Sequence, residues 1–164
     1  MHVLFEAKKA VSENSTIYPP LKLEEFFSGT TLARGIFEDR FGRVRNEFHG
    51  RTVGETRNSS LFLTEEFTYR DGKTDRRNWT FYKLSERDYK ATCSAVIGEA
   101  AGQTDGHRFH WSYEFKLEVG TKIWTVRFDD QMFLMDEKRL LNRARAYRWG
   151  FHIGTVFLCF EKQD

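Results

Sequence analysis

The stretch Arg108-Phe-His-Trp-Ser-Tyr-Glu-Phe-Lys-Leu117 alternates without a break. Phe109, Trp111, Tyr113, Phe115 and Leu117 fall on one face; Arg108, His110, Ser112, Glu114 and Lys116 fall on the other. Successive side chains of a strand point to opposite sides, so this predicts a β-strand with one buried and one solvated face. The same period recurs upstream. Leu61, Leu63, Phe67 and Tyr69 alternate with Thr64, Glu66, Thr68 and Arg70, and Val44, Asn46 and Phe48 alternate with Arg43, Arg45, Glu47 and His49. Trp124, Val126 and Phe128 share a face downstream. Phe151–Glu161 is apolar on both faces, which predicts burial on both sides or a partner, with Val156, Leu158 and Phe160 on its outer face.

Turn signals separate these runs: Phe41-Gly42, Asn58-Ser59, Asp71-Gly72, Asp105-Gly106, Val119-Gly120, Asp136-Glu137-Lys138 and Trp149-Gly150. Asp71-Gly72 is the strongest, because Asp-Gly accepts the positive φ angles of a tight hairpin. Gly98, Gly102 and Gly106 read as a polar turn region. Ahead of the strands, Leu21–Ser28 reads as a short helix stopped by Gly29. Residues 1–20 read as a polar leader with helical turns around Val3–Val11, ended by Pro19-Pro20. The expected organisation is this leader followed by one domain over residues 21–164. An antiparallel meander that buries one face can close on itself and remove its edges. The expected fold is therefore all-β, an antiparallel up-and-down barrel of about 8–10 strands with a short N-terminal helix at one end.

Composition supports one folded unit. The chain has 164 residues, of which 16% are aromatic, and that much ring surface is incompatible with disorder. Two cysteines are too few for a disulfide scaffold; Cys93 and Cys159, on different predicted strands, read as reduced, buried thiols. The first residues form no apolar signal core and no membrane-span-length apolar run occurs, so the expected location is cytoplasmic. A net charge of +2, with acids mixed among the bases, makes Arg43, Arg45 and Arg51, and Arg139, Arg143, Arg145 and Arg148, solvated arginines rather than a nucleic-acid face.

Charged and polar residues in phase with the buried aromatics are the candidate functional groups. Glu65 lies between Leu63 and Phe67, Arg77 is in phase with Trp79 and Phe81, and Asp130 is in phase with Phe128. Asn46 lies between Val44 and Phe48, and the Leu140–Tyr147 run adds Asn142 or Arg143. An unpaired buried ion costs several kcal/mol, so Glu65, Arg77 and Asp130 are expected to pair with one another or to meet a ligand. With Tyr69, Trp79, Trp111, Tyr113 and Trp124 they would line a barrel interior that takes a small apolar or amphipathic molecule.

Two other functions fit the same residues. Glu65 or Asp130 could serve as a general base with Arg77 as an oxyanion clamp. Alternatively, the outer face of Phe151–Glu161 could make the chain an interaction module, for which a homodimer is the natural form. Asp129 and Asp130 are adjacent and so face opposite sides, as His107 and His110 do. No metal site and no cofactor motif is expected.

Several segments occur in an order that resembles one bacterial family. They are Leu23–Gly29 (LEEFFSG), Gly35–Gly42 (GIFEDRFG), Leu61–Gly72 (LFLTEEFTYRDG), Arg76–Trp79 (RRNW), Phe128–Leu134 (FDDQMFL), Leu141–Ala144 (LNRA) and the closing Gly150–Phe160. The chain is similar to an uncharacterised proteobacterial domain-of-unknown-function family, some members of which are described as lipoproteins. The resemblance implies a lipocalin-like (calycin) barrel and brings no activity or catalytic residues with it. Gly35-Ile36-Phe37 also resembles the Gly-x-Trp of lipocalins, which implies an arginine, Arg143 or Arg145, packed over the Phe37 ring.

Overall fold

The computed structural model of the protein describes residues 18–164. The helical turns expected around Val3–Val11 lie outside the described residues. One short helix, α1 (Leu23–Phe26), precedes ten strands: β1 (Gly29–Asp39), β2 (Val44–Arg57), β3 (Ser60–Tyr69), β4 (Thr74–Lys83), β5 (Asp88–Thr92), β6 (Val96–Asp105), β7 (Arg108–Val119), β8 (Lys122–Leu134), β9 (Arg139–Arg148) and β10 (Phe151–Lys162). Each strand pairs antiparallel with the next, and β1 pairs with β10, so the sheet closes into a barrel without edges.

Every turn named from the sequence joins two strands. At Asp71-Gly72 the glycine takes φ +82°, and Asn58 and Ser59 both hold positive φ, which a two-residue hairpin loop demands. Two further turns, over residues 84–87 and 93–95, frame the short β5. In the first, Ser85 Oγ accepts from the Arg87 and Asp88 amides and donates to the Asp88 carboxylate, so a serine does the work of a glycine. Gly98 and Gly102, read as turn residues, lie inside β6. A Cβ at Gly102 would fall 2.5 Å from Trp111 Cβ, so the small residue makes room for the indole on the neighbouring strand.

The helix is shorter than Leu21–Ser28. Leu21 donates its amide to the Gly106 carbonyl at 2.9 Å, which holds it on the barrel end rather than in a helical turn. The rest of this segment plugs that end. Phe27 packs edge-on to Phe160, and Leu23 and Phe27 are fully buried with Leu61, Phe109 and Leu140. Three polar ties hold the plug. Lys83 Nζ donates to one Glu24 carboxylate oxygen at 2.7 Å, and Tyr89 Oη to the other at 2.8 Å. Lys162 Nζ, at the end of β10, donates to the carbonyls of Glu25, Phe26 and Ser28. Those carbonyls lack helical partners, and the ammonium satisfies them.

The last strand corrects the sequence reading. Val156, Leu158 and Phe160 face the interior, with Leu158 and Phe160 buried, while Phe157 and Cys159 face outward. A bulge between His152 and Gly154 and an apolar residue on both faces made the phase ambiguous. Cys159 is consequently exposed rather than buried, and Cys93 is half-buried; both are free thiols. No helix among the described residues is long and apolar enough to cross a membrane.

Candidate functional site

The barrel has two unequal ends. Around the plug, inward side chains are fully packed. Toward the opposite end, the mouth, inward Phe37, Phe48, Tyr69, Tyr113, Phe128 and Val156 are only half-buried. The inward polar groups lie between these regions.

Glu65 and Arg77 stand directly opposite each other on β3 and β4, with Thr52 beyond Glu65 on β2. They do not form the expected salt bridge. Arg77 instead binds Asp75, its in-phase neighbour on β4, at 2.5 Å, and its guanidinium lies over the Phe115 ring at 4.8 Å. The Glu65 carboxylate accepts from Trp79 Nε1 at 3.0 Å. Asp130, on β8, sits apart from Arg77: one oxygen accepts from Asn142 Nδ2 and the other from Tyr113 Oη at 3.3 Å. The predicted three-residue network is therefore two clusters, joined by aromatic rings. Trp79 is 5.1 Å from Trp111 and 5.6 Å from Tyr113 between ring centroids, and Trp111 is 4.7 Å from Tyr113.

Burial sets the charge state of these groups. It pushes Asp130 up to about 7, against the hydrogen bonds from Asn142 and Tyr113 that favour its anion. Burial also raises Glu65, partly opposed by the Arg77 charge. It raises the Tyr113 phenol well above its ordinary value, helped by Asp130, and raises Tyr69 as well. For Arg77 burial opposes the charge, but Glu65 and Asp75 outweigh it and keep the guanidinium firmly protonated. Protein crowds Arg77 on nearly every side, yet 24% of its side chain remains accessible from the mouth, as does 35% of Asp75. Trp111 Nε1, which faces Asp130 across the ladder and favours its anion, is buried without a well-formed hydrogen bond among the described residues, as are the Thr31 and Thr52 hydroxyls.

The other sequence candidates divide by depth and face. Asn142 is the inward member of its pair; Arg143 is not in the interior but on the outer wall, donating to Gln131 Oε1 at 2.8 Å. Neither Arg143 nor Arg145 packs over Phe37, because both are out of phase with the lumen; the Phe37 ring closes over Gly154 instead. Asn46 and Trp124 sit at the mouth, Asn46 bonded to the next amide and Trp124 stacked under the Arg148 guanidinium at 3.7 Å. Asp75 is the group the sequence reading missed. Its signal was its place two residues before Arg77, the spacing that puts both on one face of a strand.

An open depression lies along the outer wall. This open trough of about 850 Å³ runs along β1 and β10 past Ile36, Leu141, Phe157 and Cys159, and reaches the edges of Phe48 and Leu158 at Gly35. It is the outward apolar face that the sequence assigned to Val156, Leu158 and Phe160. Outside the barrel, Asp129 meets His110 at 2.5 Å, on the side opposite Asp130. Among the described residues, no three His, Cys, Asp or Glu side chains gather as metal ligands.

The barrel is similar to solved structures of low sequence identity. An S-type phycobiliprotein lyase, CPES from Guillardia theta, aligns with a TM-score of 0.64 at 11% identity, over 88% of this chain and 93% of that one. A protein of unknown function from the DUF3598 family of Nostoc punctiforme aligns with a TM-score of 0.59 at 9% identity, over 88% of this chain and 50% of that one. At such identities the likeness is one of fold: a lipocalin-like barrel. No curated protein matches the sequence. The profile of the family named "Protein of unknown function (DUF3833)" matches residues 2–162, and the chain belongs to that family.

Proposed function

We propose that this protein is a non-enzymatic lipocalin-like barrel that holds one small apolar or amphipathic molecule in the half of its lumen next to the mouth. The observation that supports this reading is the gradient of packing along the barrel. Inward rings are sealed around α1, whereas Phe37, Phe48, Tyr69 and Phe128 toward the mouth are half-buried. The Arg77 guanidinium on the buried Phe115 ring stays partly accessible, which gives the mouth half an aromatic wall with one guanidinium at its side. The apolar body of the guest would lie on Tyr113, Phe128 and Phe48, with its polar end at the Arg77–Asp75 pair.

Native mass spectrometry of freshly purified protein tests this, followed by titration with an environment-sensitive amphipathic dye. The reading expects a non-covalent adduct or saturable dye binding that weakens about tenfold in Arg77→Met, the equivalent of one well-made polar contact. Protein that carries nothing and leaves every amphipathic probe unbound would sink it.

The raised Asp130 favours a second reading, since a carboxyl that titrates near neutrality can move a proton to and from a guest. Asp130→Asn separates the two. A carrier variant still binds and releases its guest unchanged, whereas an enzyme variant binds but stops converting it.

A further inference from the structure

The mouth carries an unusual set of exposed side chains. Trp149 is 82% exposed, Ile123 70%, and Phe41 and Phe151 69% each. All four lie on the turns that ring the mouth: Phe41 between β1 and β2, Ile123 at the start of β8, and Trp149 and Phe151 around the β9–β10 turn. Single exposed hydrophobic residues are ordinary, but four large ones at the tips of neighbouring hairpins are not. A groove of about 470 Å³ between Ile123 and Trp149, floored by Tyr147 and Arg148, joins two of them.

Charge is arranged with the same polarity. Over residues 39–45, 70–73, 118–123 and 148–151 the mouth turns hold Arg40, Arg43, Arg45, Arg70, Lys73, Lys122 and Arg148. Against these stand only Asp39, Asp71 and Glu118. Asp39 is taken by Arg45 at 2.6 Å and Asp71 by Lys73 at 3.2 Å, which leaves the other five cations without a carboxylate within 4.0 Å among the described residues. The turns at the plugged end, over residues 57–60, 83–88, 105–108, 135–139 and 162–164, are close to balanced instead: Arg57, Lys83, Arg87, Arg108, Lys138, Arg139 and Lys162 meet Glu86, Asp88, Asp105, Asp136, Glu137 and Asp164. At the mouth, cations sit directly on the exposed rings. Arg40 lies over Phe41 at 4.6 Å, and Arg148 over Trp149 at 4.1 Å.

We propose that the mouth rim is a docking surface for an anionic lipid bilayer. Trp149, Phe151, Phe41 and Ile123 enter the headgroup–acyl boundary, while Arg40, Arg43, Arg70, Lys122 and Arg148 meet lipid phosphates. Aromatic rings favour that boundary because they present an apolar body with a polar or π-bound edge. Each basic residue near an anionic surface adds attraction that salt screens, and the excess of cations at the mouth over the balanced plugged end orients the barrel mouth-down. A protein partner or a second copy would need an acidic, apolar counterpart. The plugged end is balanced in charge and, among the described residues, its turns expose only Leu84 and Met135 as large apolar side chains, so the described residues do not offer one. The rim stands independently of whether the lumen is filled.

Co-sedimentation of the full chain with vesicles tests the proposal, using phosphatidylcholine alone and phosphatidylcholine with about 30 mol % phosphatidylglycerol. The protein should pellet with the anionic vesicles only and be released at about 0.5 M salt. Tryptophan emission should shift to the blue on binding, and Trp149 should dominate the shift, because Trp79 and Trp111 are already buried and Trp124 is half-buried under Arg148. The triple variant Phe41→Ser, Trp149→Ser, Phe151→Ser and the charge variant Arg40→Glu, Arg43→Glu should each lose about tenfold or more in partitioning. Leu84→Ser, at the plugged end, should bind as the parent does. All six positions are exposed, and circular dichroism checks that each variant remains folded. No binding to anionic vesicles, or binding that the rim variants leave intact, overturns the proposal. So does a concentration-dependent dimer that the triple variant abolishes while vesicles are ignored.

Discussion

The plugged half and the mouth half are built from the same ten strands, yet they solve different problems. Around α1 the inward residues interlock: Phe27, Phe109, Leu23, Leu61 and Leu140 leave no exposed surface, and every polar tie ends on a partner. Around the mouth the inward rings stay half-open, and charge is placed inside the lumen at Arg77 and Asp75. Stability is concentrated at one end and chemistry at the other. A barrel can tolerate buried ions at its mouth because its base supplies the hydrophobic burial that offsets them.

Four measurements can break or sharpen this contrast. The largest effect is expected from Phe109→Ala in the plugged half. It should cost about 3–5 kcal/mol in chemical denaturation, against roughly half that for Phe48→Ala at the mouth. Equal losses at the two positions would erase the distinction.

Next in size is the pH dependence of Asp130. Its folded pKa of about 7 lies above the unfolded carboxylate value, so the native state binds the extra proton. Its contribution to stability is therefore fully present below about pH 4, falls as pH rises toward 7, and stays lost above that. Asp130→Asn should remove this slope and gain on the order of 2–4 kcal/mol over the parent at pH 8, with no such gain at pH 4. A difference between the two proteins that is flat with pH would place Asp130 in contact with water.

Tyr89→Phe deletes one tie of the plug, its bond to Glu24, and should cost about 1–2 kcal/mol. The smallest change is expected for Arg57→Ala. Arg57 and Glu55 form an exposed, solvent-screened pair on β2, and its loss should leave the denaturation midpoint unmoved.

The two halves also differ in how much could be read from the sequence. Arg108–Leu117 announced its strand because its inward positions are all large and its outward ones all polar. β9 did not, because its inward residues, Leu140, Asn142, Ala144 and Ala146, are mostly small or polar. The face of Asn142 versus Arg143 was therefore left open until pairing with Met132 and Gln131 decided it. β5 and β6 were blurred, because alanines, glycines and a register shift between Ile97 and Ala101 erase the period; Cys93, expected on a strand, lies in the turn between them. Asp75 was passed over, whereas Glu65, Arg77 and Asp130 were legible from phase alone. Their pairing was not: whether Arg77 turns to Glu65 across the ladder or to Asp75 along its own strand depends on rotamers and on the Phe115 ring.

The tie between Lys162 and the carbonyls after α1 has a kinetic consequence. The plug at the start of the barrel is locked by a residue near the end of β10, and β1 finds its second neighbour only when β10 arrives, as in the pairing of Ala33 with Phe160. On a ribosome the first strand must wait, with one side of its ladder empty, until more than a hundred residues have followed it. Such long-range closure slows folding and leaves an edge open to mispairing in the meantime. Removing the segment from Phe160 onward should therefore do more than shorten the barrel: it withdraws the last step that seals both the seam and the plug.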